Sequence, residues 1–364
     1  MATAAATIEE QQTTHFETIV IGGGQAGLSL GYYLKKLGRS FVILDANDRI
    51  GGSWRSRTWD SLRLFTPNRY NGLPGWPFPA PSWSYPTARE TADYLEAYAA
   101  RFELPVRLDS RVERLSKADG RYLVESAGQR FTADCVVFAA GFYGTPFVPE
   151  FAAELDPRIV QMHSSEYRNP SQLLPGGVLL VGAGNSGADI AMEVSKTHAT
   201  WLSGPDKGQI PFRIEHPLRR VFVPVLWFVA GHVLTLKTPL GRKAQPHVLG
   251  QGAPRIRVKS KDLYAAGVEQ VPRTVRVKDG LPVLEDGRVL DAANAIWCTG
   301  FRQDYSWIDV PVFDGEGAPV HERGVASEPG LYFLGLDFLY SFASENVGGV
   351  YRDAKHIAKH IASR

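Results

Sequence analysis

Two glycine-rich segments have the G-x-G-x-x-G spacing of a loop that binds the diphosphate of a dinucleotide. The first, residues 22–27 (GGGQAG), follows an apolar run, and the second, residues 182–187 (GAGNSG), follows another. Glycine allows the tight turn and the close approach of the backbone to a diphosphate, which the N–H groups at the start of the next helix then bind. Two such loops in one chain predict hydride transfer between two bound dinucleotides.

An acid after the first loop indicates which dinucleotide this loop holds. The apolar run Phe41–Leu44 ends at Asp45, and an acid near this offset binds ribose hydroxyls. A ribose with free hydroxyls suits FAD, and we therefore predict an FAD site at this end of the chain. Its predicted contacts are Gly22, Gly24, Gln25, Ala26, Gly27, Asp45 and Ala46.

The second loop is predicted to hold a nicotinamide cofactor. Its predicted contacts are Gly182, Gly184, Asn185, Ser186 and Gly187. No acid ends the strand that follows, Thr200–Ser203. We predict that Ser203 and Lys207 contact a 2′-phosphate, which favours NADPH and leaves NADH open.

Each loop lies in a strand–turn–helix–strand pattern, which predicts an α/β fold with two Rossmann-like dinucleotide-binding domains. We assign residues 1–15 to a disordered tail, 16–160 and 296–364 to the FAD-binding domain, and 161–295 to the NAD(P)H-binding domain.

Small residues mark the places where the chain passes close to a cofactor or crosses between domains. Two apolar runs end in such residues, at Ala140-Gly141 and at Thr299-Gly300. Asp337 ends a late strand, and Gly348 opens the C-terminal helix, whose N-terminus is expected to point at the flavin ring. The residues predicted here to contact the cofactors are Ala140, Gly141, Thr299, Gly300, Asp337 and Gly348.

Gly52, Ser53 and Trp54 follow Asp45 closely and begin a region rich in aromatic residues and proline that extends to Pro86. The Gly-Gly pair at residues 51–52 lets the backbone pass close to a flat or phosphorylated group. The composition predicts a long rigid loop rather than regular structure. Loops of this size are usually functional, and a packed structural excursion is the alternative.

Composition limits the classes of function. The chain of 364 residues has 40 Lys and Arg against 38 Asp and Glu, which predicts no nucleic-acid partner. Cys135 and Cys298 lie far apart in apolar runs, so no disulfide, redox dithiol or zinc site is predicted. The histidines lack metal-ligand spacing, and no metal is expected. Residues 1–15 lack the apolar core of a signal peptide, and we expect a cytoplasmic protein.

The longest apolar stretch, Val221–Leu236, is interrupted by Pro224 and Gly231. It is shorter than the roughly 18 residues of a membrane-spanning helix. Two interpretations are open. The stretch is either a buried or homodimer-interface helix, or a helix that lines a substrate entrance or touches a membrane surface. Further along, Arg255–Lys259 and Val289–Leu290 are predicted as strands.

The order of these features resembles the class B flavin-dependent monooxygenases over nearly the whole chain. The sequence is most similar to short bacterial flavin-containing monooxygenases and to plant auxin-forming monooxygenases. The signature of that family before the second loop is matched at His163 and Tyr167, whereas Pro157 and Ile159 replace its Phe and Gly. The resemblance implies the two-domain flavoprotein fold of the glutathione reductase type, with His163 and Tyr167 at the cofactors.

The resemblance also implies a mechanism. NAD(P)H reduces FAD, O₂ adds to the reduced flavin as a 4a-hydroperoxide, and its distal oxygen passes to sulfur or nitrogen of a small apolar organic substrate. Oxygenation of a ketone, the Baeyer–Villiger reaction, is the less favoured variant. Family members often place an asparagine beside the flavin after the Gly-Gly-x-Trp segment. Asn68 and Asn71 are the candidates here, and Phe65 is expected near the ring.

Three other classes of protein are weighed against a monooxygenase. An NAD(P)H oxidase or flavin reductase that forms hydrogen peroxide is the strongest alternative, because half of the family signature is degenerate. A disulfide reductase needs two cysteines that exchange electrons with flavin, which Cys135 and Cys298 do not provide. A non-catalytic flavin-binding protein is disfavoured because both loops keep their glycines.

Overall fold

The structure, a computed structural model, describes residues 13–141, 144–206, 208–251 and 254–364. Two sheets organise these residues, and the parallel part of each one contains the strand that leads into a glycine-rich loop. The expected α/β architecture with two Rossmann-like units is confirmed.

The first sheet has nine strands, in the order β16-β17-β18-β6-β1-β2-β3, with β4 and β5 added through the pairing of β5 with β6. Its parallel centre consists of β18, β6, β1, β2 and β3. Its strands are β1 Thr14–Ile21, β2 Phe41–Leu44, β3 Val106–Arg107, β4 Val112–Ala118, β5 Arg121–Ser126, β6 Gln129–Phe138, β16 His321–Glu322, β17 Val325–Ala326 and β18 Leu331–Phe333.

The second sheet has five parallel strands in the order β11-β10-β9-β14-β8, and two small antiparallel pairs, β12-β13 and β15-β7, lie outside both sheets. These strands are β7 Thr145–Pro146, β8 Val160–His163, β9 Gly177–Val181, β10 Thr200–Ser203, β11 Glu269–Val271, β12 Thr274–Lys278, β13 Leu281–Leu284, β14 Ala292–Trp297 and β15 Phe301–Arg302.

In the described part of the chain, eight α-helices connect and cover the sheets. They are α1 Gln25–Lys36, α2 Gly52–Ser56, α3 Ala88–Arg101, α4 Asn185–Val194, α5 Arg219–Phe228, α6 Pro239–Gln251, α7 Ser260–Ala265 and α8 Tyr351–Ala362. Short 3₁₀ helices occupy Asn68–Tyr70, Glu150–Glu154 and Pro170–Gln172, and a π-helical turn, Val229–Val233, continues α5.

The two units repeat the same hydrogen-bonding pattern around their glycine loops. Gly22 N–H donates to Leu44 O and Gly182 N–H donates to Ser203 O, both at 2.8 Å. This equivalence aligns β1 with β9 and β2 with β10, residue by residue. The residue after each second strand is therefore Asp45 in the first unit and Gly204 in the second, a correspondence used below.

Four apolar clusters fill the faces of the two sheets. On the first sheet, one face packs against α1, α3 and α8, with Leu28, Leu30 and Ile357 fully buried. The opposite face is covered by the β4–β5 hairpin and residues 308–312. On the second sheet, α4 and α7 cover one face and the segment around the Glu150–Glu154 helix covers the other. These buried faces hold both loops in fixed positions.

The structure corrects several boundaries expected from the sequence. Strand β1 begins at Thr14, and His15 bonds Thr132 on β6 through its ring, so the predicted end of the tail at residue 15 is wrong. Residues 255–259 form an irregular segment rather than a strand, because Arg255 and Lys259 turn inward to bond side chains and loop carbonyls. Val289 makes only an isolated bridge.

Candidate active site

The first cavity opens at the carboxyl ends of β1, β2 and β6, where an α/β sheet binds its ligand. It is lined by residues of the first glycine loop, by Asp45 and Ala46, by the start of α2 with Gly52, Ser53 and Trp54, by Ala140 and Gly141 after β6, and by Gly335, Glu345 and Val350 near α8. Most of the predicted FAD contacts of the first unit are thus brought together around one space, whereas Gly27, Asp337 and Gly348 do not line it.

The glycine loop shows why these residues are required. A Cβ on Gly27 would overlap the carbonyl oxygen of Gly22, whereas a Cβ on Gly24 would meet no atom within 4 Å. Gly27 lets helix α1 approach the strand closely. Gly24 leaves open the space in which a diphosphate would lie against the helix N-terminus. The cavity therefore fits FAD.

Asp45 is buried at the ribose end of this cavity. Its Oδ2 accepts a 2.6 Å hydrogen bond from Gly23 N–H, and its Oδ1 accepts bonds from the backbone and side-chain amides of Asn47. The carboxylate is thus held in one orientation at the end of β2. This placement suits hydrogen bonds to ribose hydroxyls.

The second loop repeats this geometry at the carboxyl ends of β9 and β14. A Cβ on Gly187 would overlap Gly182 O, and Gly184 again has open space around it. Asn185 is fixed by bonds to Pro254 O and from Ile256 N–H. The loop is therefore a second diphosphate cradle, and it fits a nicotinamide dinucleotide.

Ser203, predicted to contact a 2′-phosphate, is buried. Its hydroxyl donates to Pro272 O at 2.9 Å, lies 2.8 Å from Thr274 Oγ1 and accepts from Thr274 N–H. The structure therefore commits this hydroxyl to internal bonds and brings Gly204, not Ser203, to the place of Asp45. Lys207 lies outside the described residues.

A second cavity lies between the two units. It is lined by Asn185 and Ser186 of the second loop, by Ser164 and Ser165, by Trp59, Leu62, Leu64 and Phe65 of the aromatic region, and by Phe301. Trp54 and Arg57 line both cavities. The two cavities therefore adjoin each other at these two residues.

The charged residues of the second cavity were not found from the sequence, because no motif marks them. Arg257 donates to Arg63 O at 2.9 Å and to Leu64 O at 2.6 Å, and so joins the second unit to the aromatic region of the first. Its Nη1 lies 3.9 Å from Asp189 Oδ2. Burial raises the pKa of Asp189 to about 6, although Arg257 acts in the opposite direction.

Four predicted cofactor contacts, His163, Tyr167, Thr299 and Gly300, instead make bonds within the protein, and the contact between His163 and Gly300 joins the two units. His163 Nε2 lies 3.0 Å from Gly300 O, and its Nδ1 lies 2.8 Å from Ser165 Oγ. Burial lowers the pKa of His163. Tyr167 is fully buried and donates to Glu193, and Thr299 bonds Phe147 O. None of the four lines either cavity, and their cofactor contact stays a prediction.

The candidate catalytic residues occupy two places. Asn71 is buried and bonds Thr66 through both amide atoms, and Asn68 donates to Ser84 Oγ at 2.8 Å. The loop between them packs on Gly348, where a Cβ would overlap Tyr70 O, so it lies beside the start of α8. Phe65 lines the second cavity instead. Their roles stay predictions.

Glu345 lines the first cavity and was not predicted. Burial, and then a hydrogen bond with Asp337, raise the pKa of Glu345 to about 9. The Glu345 carboxyl is thus neutral at pH 7, with its proton in the hydrogen bond with Asp337. Asp337, an expected cofactor contact, is exposed and reaches the cavity through this pair.

The two cysteines do not form a redox pair. Both are free, and burial raises the pKa of Cys135 and raises the pKa of Cys298 to about 12. Such thiols are poor nucleophiles. Among the described residues there is neither a group of side chains that could hold a metal ion nor a helix able to cross a membrane.

Comparisons with known proteins agree with this geometry. Residues 19–203 match the pyridine nucleotide-disulphide oxidoreductase family. A CzcO-like oxidoreductase of Geobacillus kaustophilus is 40% identical, over 95% of this chain and 98% of its own. The solved flavin-containing monooxygenase of Stenotrophomonas maltophilia is 30% identical, with a TM-score of 0.79 over 96% of this chain and 99% of its own. The chain belongs to the pyridine nucleotide-disulphide oxidoreductase family and, within it, to the flavin-dependent monooxygenases.

A flavin-dependent monooxygenase uses a flavin and a nicotinamide cofactor. The expected use of these two classes of cofactor is therefore confirmed. A probable indole-3-pyruvate monooxygenase of Arabidopsis thaliana is also similar, at 28% identity over 95% of this chain and 86% of its own. The expected class of enzyme, an oxidoreductase dependent on NAD(P)H, is thereby confirmed.

The paired glycines of the second loop allow a matched test. We expect Gly187→Ala to fail to fold or to lose nicotinamide binding, because its Cβ overlaps Gly182 O. Gly184→Ala should fold normally but raise the Kd for NADPH by roughly tenfold, because its Cβ occupies the space of the diphosphate. Thermal unfolding and quenching of tryptophan fluorescence by NADPH measure the two effects. Unchanged affinity in Gly184→Ala would show that the diphosphate lies elsewhere.

The Glu345 carboxyl predicts a pH dependence of FAD binding. Because its raised pKa is about 9, the carboxyl is neutral below that pH and becomes a buried anion in the wall of the cavity as the pH rises through it. We expect the Kd for FAD to increase about tenfold per pH unit above the pKa, measured by FAD fluorescence in ultrafiltrates at pH 7–10. Glu345→Gln should remove this dependence and Glu316→Gln, an exposed control, should keep it. The same curve in all three proteins would contradict the prediction.

Proposed function

We propose that the enzyme uses NADPH and O₂ to oxygenate small apolar organic molecules at sulfur or nitrogen, in the cytoplasm. The observation that supports this proposal is the pair of cavities that share Trp54 and Arg57. Each cavity ends at its own diphosphate loop, so two dinucleotides would meet at the shared wall. Residues 16–160 and 296–364 would bind FAD, and residues 161–295 would bind the nicotinamide cofactor.

Bound FAD would supply the activation of oxygen, and the protein would supply binding and orientation. Asp45 and the first loop would bind its ribose and diphosphate. Trp54 would cover the ring on the side of the second cavity. Asn68, Asn71 and Phe65 are proposed to contact the ring or the oxygen acceptor.

The second cavity has the chemistry needed for a nicotinamide dinucleotide and an apolar substrate. Arg57, Arg63 and Arg257 bring positive charge near Asn185 and Ser186, which suits phosphate groups. The aromatic side, with Trp59, Leu62 and Phe65, suits an apolar molecule. A soft sulfur or nitrogen atom needs no catalytic acid–base pair to accept oxygen, which agrees with the absence of a His–carboxylate pair from the residues that line the second cavity.

The proposed oxygenation is tested by how reducing equivalents are used. Purified FAD-loaded protein is given NADPH, O₂ and a panel of aryl sulfides, tertiary amines and cyclic ketones. We expect sulfoxide or N-oxide in amounts close to the NADPH oxidised, with hydrogen peroxide as a minor product. Substrate panels without FAD-loaded protein serve as the control.

The strongest alternative, an NAD(P)H oxidase, would give a different balance. Stoichiometric hydrogen peroxide, unchanged by every member of the panel, would reject the monooxygenase proposal in favour of that oxidase. Lactone formation from the ketones without sulfoxidation would instead assign a Baeyer–Villiger enzyme.

Gly204 supports the proposed preference for NADPH. This residue stands where Asp45 stands in the first unit, so no carboxylate at that position repels a 2′-phosphate or selects a 2′-hydroxyl. Asp206, nearby, is paired with the buried Arg255 at 2.9 Å. We expect kcat/KM to be higher with NADPH than with NADH, by about tenfold, the worth of one charge-assisted hydrogen bond.

Lys207 is the proposed source of that preference. Lys207→Ala should lower kcat/KM for NADPH by about tenfold and leave the value for NADH unchanged, measured at constant ionic strength. Lys278→Ala, a change of the same charge on β12, should affect neither coenzyme. Equal losses for both coenzymes would show that Lys207 does not contact the 2′-phosphate.

A further inference from the structure

Helix α5 turns an apolar face to solvent, which is unusual for a surface helix. Val221 and Val225 are 61% and 60% exposed, and Phe222, Leu226 and Phe228 are exposed as well. These five residues lie on one side of the helix. Val221, Val225 and Phe228 follow one another at intervals of four and three residues, and Phe222 and Leu226 form a neighbouring row with an interval of four. Val223 is the buried apolar residue of this helix. We call the five exposed residues the α5 face. The expectation of a buried helix is therefore wrong for this part of Val221–Leu236.

The α5 face is held in place from beneath. Trp227 stacks on Tyr70 with ring centroids 5.0 Å apart. At the π-helical turn, Arg352 of α8 bonds Gly231 O and lies 2.7 Å from His232 Nε2. Backbone bonds join Leu236 to Tyr340 and Phe342 to Leu234. A helix fixed in this way presents its apolar side as a permanent surface.

The charged residues around the α5 face are mainly basic. From His216 to Lys243 the chain has five Lys and Arg and no Asp or Glu, over 28 residues. Arg219 and Arg220 stand at the start of the helix and line a hollow with Arg63 and Glu215. Beside the π-helical turn, Arg352, Lys355 and Lys359 line a second hollow. Basic groups therefore border the apolar surface at both of its ends.

We propose that the α5 face binds the surface of an anionic lipid bilayer, with α5 parallel to the membrane plane. Apolar side chains would enter the boundary between headgroups and acyl chains, and the basic groups would contact lipid phosphates. A helix of ten residues is too short to cross a bilayer. A second copy fits this surface less well, because a twofold contact would bring the two basic borders together.

The proposal places the second cavity near the membrane. Arg63 lines both that cavity and the hollow beside Arg219, so the membrane-facing edge adjoins the aromatic region. An apolar molecule dissolved in lipid would have a short path to the cavity. Membrane binding itself does not depend on the proposed oxygenation and is tested without turnover.

Vesicle flotation with the full-length FAD-loaded protein tests the proposal. The vesicles contain phosphatidylcholine alone or with a third of phosphatidylglycerol, at low and high NaCl concentration. We expect binding to the anionic vesicles at low salt, with at least a tenfold lower partition coefficient on neutral vesicles or at high salt, because surface charges are screened. Binding that is equal on both kinds of vesicle, or absent from both, would overturn the proposal.

Variants separate the contribution of apolar contact to membrane binding from the contribution of electrostatic attraction. Val221→Gln/Val225→Gln removes apolar contact and keeps helix propensity, and Arg220→Glu/Lys355→Glu reverses two exposed charges. Each pair should lower partitioning on anionic vesicles at least tenfold, since one basic residue is worth about fivefold at such a surface. Val289→Gln, an exposed valine on another part of the chain, should bind like the parent. FAD absorbance and circular dichroism confirm that the variants are folded.

A second copy of the chain is the competing occupant. Size-exclusion chromatography with light scattering is run over a range of protein concentrations without lipid. A monomer that binds anionic vesicles supports the proposal. A stable dimer that Val221→Gln/Val225→Gln dissociates, together with no vesicle binding, would assign the α5 face to self-association and overturn it.

Discussion

The close contact between a helix and a strand at each glycine loop is the constraint on which the rest of the structure depends. At Gly27 and Gly187 the backbone of the helix approaches the carbonyl of Gly22 or Gly182 so closely that no side chain fits between them. This contact aims the helix N-terminus at the carboxyl edge of the sheet. The positions of both cavities follow from that orientation.

The position of one unit against the other depends on polar side chains that sequence patterns do not reveal. Arg168 donates to Thr58 O and Ser165 O, Arg257 donates to Arg63 O and Leu64 O, and His163 contacts Gly300 O. Each of these side chains bonds a backbone carbonyl. The bonds therefore fix the position of one unit against the other and do not depend on which side chains the partner segment has. They act between the two units, and so set the separation of the two cavities.

The sequence predicted the elements whose signal is local. The two loops, Asp45, the start of α8 and the aromatic region follow from spacing and composition, and the structure has each of them. Glu345, Asp189 and Arg257 could not be predicted, because their function arises from contacts between distant segments. The position in the second unit that corresponds to Asp45 was assigned one residue too early, to Ser203. The apolar pattern does not show that Ser203 aligns with Leu44 and Gly204 with Asp45.

That alignment shows where the two copies of one unit differ, which is the position after the second strand. The first keeps a carboxylate at the end of its second strand, and the second has Gly204 with φ of +136°, close to Ala183 N. A side chain there would be strained and would crowd the loop. A carboxylate cannot simply be restored at that place, and coenzyme selection must come from residues further along. The repeat thus preserves the diphosphate cradle, whose geometry is demanding, while the ribose contact, which needs a single side chain, is free to diverge.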